Sequence, residues 1–169
     1  MENLRRALDR ADKSTEVVDG PDGSRILLLP YGARILGLYP RDGRNFFWTN
    51  AELTTEGGAE ALFAREGWHN TGGDRTWITP ELDVFFPDYP DTRRHWEPPQ
   101  LDAAPYDVAR LHGGVRMSRT MTLRLARPNR DATLALSKWV GFAPDPLRHE
   151  SGARGSAAYA GYVQHTVLE

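Results

Sequence analysis

The sequence predicts an all-β, antiparallel fold led by a short helix, and three observations carry that prediction. In residues 115–126, Val115, Met117, Met121, Leu123 and Leu125 alternate with Arg116, Ser118, Thr120, Thr122 and Arg124, the period of a half-buried strand. Short β-rich runs are split by turn chemistry at Gly20-Pro21-Asp22-Gly23 and Pro40-Arg41-Asp42-Gly43. Helical spacing is clearest in residues 3–12, where Leu4, Ala7, Leu8 and Ala11 fall on one face.

The elements follow in chain order. Residues 15–19, 24–29 and 32–39 read as a meander of three strands, with Phe46-Phe47-Trp48 after it. Ala59–Arg65 makes two helical turns after Gly57-Gly58, and Gly67 stops them. Gly72-Gly73 breaks the chain before Thr76–Phe86, which resumes strand character around Pro80. A proline there places the strand at an edge or a bulge, because it has no N–H for the ladder. Residues 87–105 hold five prolines and read as a long ordered loop. The 115–126 strand turns at Arg127–Asp131, and Ala132–Phe142 returns with Leu134, Leu136, Val140 and Phe142 on one face. Tyr159–Leu168 makes a last strand. Val163–Glu169 is still strand-like where the sequence stops, so residues 15–169 read as a truncated domain behind a helical lead at 1–14.

Composition narrows the function classes. A chain of 169 residues fits one domain. A formal net charge of -2 argues against nucleic acid or an anionic membrane as partner. No apolar run approaches a membrane span, and the N-terminus lacks a signal-peptide core, so a cytoplasmic location is expected. Cysteine is absent, which excludes disulfides, thiolate metal sites and a cysteine nucleophile. The phosphate-loop, dinucleotide-binding, zincin and nucleophile-elbow motifs are also missing. Neither a metal nor an organic cofactor is expected; His149-Glu150 has no partner at metal-ligand spacing.

The densest chemistry lies in Gly67–Glu81. If residues 75–81 are extended, Arg75, Trp77, Thr79 and Glu81 share a face. A guanidinium, an indole, a hydroxyl and a carboxylate on one face suit a sugar, whose C–H surface packs on aromatics and whose hydroxyls accept and donate to charged groups. A buried Arg75–Glu81 ion pair beside a core tryptophan explains the same residues equally well. Trp48, Trp68, Trp77 and Trp96 cluster in mid-chain, where core is the commoner role for tryptophan. His69 and His95 flank the segment with the chemistry of a general acid or base, although a satisfied loop histidine is the commoner case. Arg119 and Lys138 interrupt the apolar faces of the last hairpin. They either line a polar cleft or, as the favoured reading has it, reach outward near the sheet edge.

Three motifs occur in order: Tyr31–Tyr39, Asn45-Phe46-Phe47-Trp48-Thr49-Asn50, and Gly72-Gly73-Asp74-Arg75-Thr76-Trp77 with Pro80-Glu81. Together they resemble the N-terminal half of the galactose-mutarotase-like (aldose 1-epimerase) superfamily, in its uncharacterised bacterial branch. The resemblance implies a β-supersandwich, here incomplete, with a cleft for an aldose or glycan. It implies ligand-binding roles for Asp74, Arg75, Trp77 and Glu81 along one cleft wall, with His69 beside them. The glutamate base of that family has no counterpart in this chain, so no catalytic role is transferred. Leu111-His112-Gly113-Gly114 copies a family tetrapeptide but reads as a hairpin turn. A carbohydrate-active isomerase, a non-catalytic carbohydrate-binding domain and a structural β-domain all remain open. Exposed sheet edges in a half-fold predict self-association.

Overall fold

A computed structural model describes residues 1–150 and 158–169. The protein is mostly β, with two antiparallel sheets and a few short helices. The first sheet holds β1 (Glu16–Asp19), β2 (Arg25–Leu29) and β3 (Arg34–Tyr39). The second holds β4 (Asp107–Leu111), β5 (Gly114–Leu125), β6 (Arg130–Phe142) and β7 (Tyr162–Leu168). In both sheets each strand lies beside its neighbour in sequence, the meander expected from the turn-separated runs.

The three-stranded sheet is covered on both faces. Ile26, Leu28 and Ile35 join an apolar cluster with Met117, Met121 and Val140 of the second sheet. Leu27, Leu29 and Leu36 join another, with Leu4 and Leu8 of α1 (Glu2–Arg10) and Ala59 and Leu62 of α2 (Gly58–Phe63). This double burial explains why β2 and β3 read as continuous apolar runs while β5 alternates. β5 has one face in the core and the other in solvent.

Residues 40–106 connect the two sheets and hold most of the short helices. Besides α2 they include a 3-10 turn at Ala51–Thr54, α3 (Glu81–Val84) and α4 (Pro99–Asp102). Isolated bridges tie the connection to the first sheet, pairing Tyr31 with Pro105 and Ile35 with Asp74, while Thr49 pairs with Gly72 within the loop. The Gly72-Gly73 turn is needed for this approach. Both residues have positive φ, and a Cβ on Gly73 would lie 2.3 Å from the Ile35 carbonyl oxygen.

Four expectations are corrected. Thr76–Phe86 is not a strand: residues 75–78 run without sheet partners and Glu81 opens α3. Pro80 sits at the N-cap of that helix, where a missing N–H costs nothing, and not in a sheet edge. The 87–105 loop contains α4, with Pro99 at its first position. The last hairpin turns over 126–129, slightly earlier than the sequence indicated, since Leu125 already pairs with Arg130. Leu111 pairs with Gly114, so His112-Gly113 is a hairpin turn as expected.

Candidate functional site

Arg34 is the base of the site. It lies on β3, is fully buried, and donates to the Gly72 carbonyl at 3.0 Å and to the Asp102 carboxylate at 2.7 Å. Burial pulls its pKa down, and Asp102 opposes that pull. A buried guanidinium without such a partner would be costly. Asp102 thus arrives from α4 to neutralise a cation on β3.

Asp102 also gathers the groups above it. The Trp68 indole N–H donates to its Oδ2, and Arg75 reaches the same oxygen at 3.4 Å. Arg75 further pairs with Glu97 at 3.1 Å. Its guanidinium lies over two indoles, 4.8 Å from the Trp68 ring centre and 4.2 Å from that of Trp77. Trp77 stacks on Phe85 at 4.1 Å and lies near-parallel to His95 at 6.2 Å. Two planar groups so close to one ring centre occupy its opposite faces, so Trp77 is sandwiched between Phe85 and Arg75. The Trp77 N–H then donates to Glu81 at 2.6 Å.

Arg75, Trp77 and Glu81 therefore meet, although not on a strand. Because Glu81 starts a helix, it comes back under the indole four residues earlier. The expected Arg75–Glu81 ion pair is not the one formed; Arg75 takes Glu97 and Asp102. Asp74 points elsewhere. Its carboxylate bonds Lys138 at 3.0 Å and the Tyr162 hydroxyl at 3.0 Å. His69 also lies apart, packed against Tyr31 and Phe63 with Nε2 on the Arg65 carbonyl. Neither is part of the Arg75–Trp77 stack.

Other side-chain expectations change as well. Lys138 does not reach outward at an edge: it is fully buried on β6, and Asp74 is its counter-ion. Burial depresses its pKa, with Asp74 acting against the shift. Arg119 stays partly exposed and donates to the Pro105 carbonyl. The mid-chain tryptophans are not core. Trp48 is 63% exposed, Trp68 42%, Trp96 39% and Trp77 37%.

Sequence reasoning missed Glu97 and Asp102, which hold the site together from the proline-rich loop. Glu97 Oε2 is buried and has no hydrogen-bond partner, an unusual state for a carboxylate oxygen. His95 Nε2 lies 3.8 Å from the other oxygen. The signal was a short one: His95-Trp96-Glu97 inside a proline-rich run. The arrangement offers exposed indoles, a fixed guanidinium and the Glu81 carboxylate at the surface, with the Glu97 and Asp102 carboxylates buried beneath. Clefts of about 590 Å³ between β1 and the β4–β5 turn, and about 280 Å³ beside Lys13 and Tyr106, contain none of these residues. Among the described residues no three metal-ligating side chains cluster, and no helix is long and apolar enough to cross a membrane. No family model matches the sequence, and neither a curated protein nor a solved structure matches this chain.

Proposed function

We propose that this chain binds an aldose or glycan on the surface formed by Trp68, Arg75, Trp77 and Glu81, with Glu97 beneath it. The carrying observation is exposure: four indoles between residues 48 and 96 stand more than a third open to solvent in a protein with two well-formed apolar clusters. Large exposed aromatics are costly unless something covers them. Two of them, Trp68 and Trp77, pack against Arg75, Trp77 donates to Glu81, and Arg75 in turn bonds Glu97, whose other oxygen has no partner; these are the fixed donors and acceptors that sugar hydroxyls need. The motif segments that resemble the galactose-mutarotase-like superfamily also adjoin one another, through the Ile35–Asp74 and Thr49–Gly72 bridges. Under this reading the two sheets are part of a supersandwich, and the protein binds its sugar without an assigned catalytic residue.

A second reading, a structural brace, is favoured by one feature: both faces of Trp77 are already covered. Titration of the protein with monosaccharides and oligosaccharides, followed by tryptophan fluorescence and calorimetry, separates the two. Binding that is lost in Glu97→Gln and in Trp68→Ala, with the fold retained by circular dichroism, supports the sugar site. No heat and no fluorescence change with any sugar, together with a melting temperature several degrees lower in Trp77→Ala, supports the brace. Optical-rotation decay of fresh α-glucose or α-galactose tests turnover directly; a rate equal to buffer leaves binding alone.

A further inference from the structure

We propose that β7 is a dimerisation edge, pairing antiparallel with β7 of a second copy about a two-fold axis at His165. Among the described residues, β7 has β6 on one side and no strand on the other. Ala135 and Glu169 exchange both backbone hydrogen bonds, at 2.8 and 3.0 Å. The antiparallel period then directs the N–H and C=O of Val163, His165 and Val167 to β6, and those of Gln164, Thr166 and Leu168 outward. Among the described residues no backbone group pairs with this outward row.

This edge lacks the charges that the edge strands β1 and β4 carry. β1 has Glu16 and Asp19, and β4 has Asp107 and Arg110. Residues 162–168 contain no lysine, proline, glycine or formal charge apart from His165. Val163, Val167 and Leu168 are each at least 40% exposed.

The occupant is a second copy because the strand is self-complementary. Reading outward from His165, both directions give polar, apolar, apolar: Gln164, Val163, Tyr162 one way and Thr166, Val167, Leu168 the other. A two-fold at His165 places Val163 opposite Val167 and Gln164 opposite Thr166, on matching faces. It satisfies the outward ladder and sets no formal charges against each other while His165 is neutral. It also joins two four-stranded sheets into one.

Sedimentation equilibrium of the full chain tests this, with His165→Lys and His165→Asp. Each variant sets two like charges opposite each other at the axis, so each alone raises the dimer dissociation constant about fivefold or more. An equimolar mixture of the two variants restores dimer, because lysine then faces aspartate; unfolded chains would not do this. A monomeric wild type overturns the proposal, since something other than a second copy then covers the edge. A dimer that persists unchanged in the single variants, or a mixture that restores nothing, overturns it too.

Discussion

Asp102 holds more of the molecule than any other single side chain in the site. It takes Arg34 from β3, Arg75 from the Gly-Gly segment and the Trp68 indole. Asp102→Asn keeps the shape but removes the charge, leaving Arg34 buried without a counter-ion. That costs about 3 kcal/mol and lowers the melting temperature by roughly 6–12 °C for a domain of this size, read by calorimetry. Lys138 and Asp74 make a similar pair with an instructive asymmetry. Asp74→Asn strands a fully buried ammonium and costs about 3 kcal/mol, whereas Lys138→Met fills the same space without a charge and stays within about 1 kcal/mol of wild type. Urea midpoints of the two variants give the comparison, and equal losses would mean that the ion pair itself, and not the orphaned cation, is what matters.

Elements differ in how far the sequence reveals them. β5 and β6 were legible because one face meets solvent and the pattern alternates. β2 and β3 were legible as β-rich runs but not by face, since α1 and α2 cover the side that would have been polar. The segment from Arg75 to Phe86 misled because its order comes from partners remote in sequence. Arg75 is held by Glu97 and Asp102, and local alternation of residue types looked like a strand. For the same reason the structure brings Arg75, Trp77 and Glu81 together in a way the sequence did not describe, while Asp74 and His69 turn to other partners. The glycines give a sharper test at this scale. Gly73 and Gly43 both have positive φ, but only Gly73 is pressed against backbone, and a Cβ at Gly43 meets nothing within 4 Å. Gly43→Ala therefore costs about 1 kcal/mol, the conformational term alone. Gly73→Ala adds displacement of β3 and costs at least about 2 kcal/mol. Thermal melts of the pair that coincide would show that the turn does not depend on that close approach.

At the scale of the whole molecule, a polar junction at Asp74 ties the two sheets together. Tyr162 on β7 and Lys138 on β6 both bind the Asp74 carboxylate, and the Asp74 backbone is bridged to Ile35 on β3, so this one residue joins the two sheets. Burial first, and then the hydrogen bond to the Asp74 carboxylate, pushes the Tyr162 hydroxyl up to about 12. An unfolded chain releases the same proton near pH 10. Between those values the folded protein binds more protons than the unfolded one, so stability falls as pH rises through the window and is fully present below it. Burial raises Tyr31, Tyr39 and Tyr106 in the same direction, which makes alkaline unfolding a property of the whole fold. Tyr162→Phe removes one of these protons. Its stability, from urea unfolding at intervals above pH 9, declines less steeply with pH than that of wild type. Ultraviolet difference titration of the folded variant loses one late-ionising phenol. A Phe variant whose alkaline slope matches wild type would mean that Tyr162 ionises alike in both states and that the Asp74 junction does not hold the sheets in the way its geometry indicates.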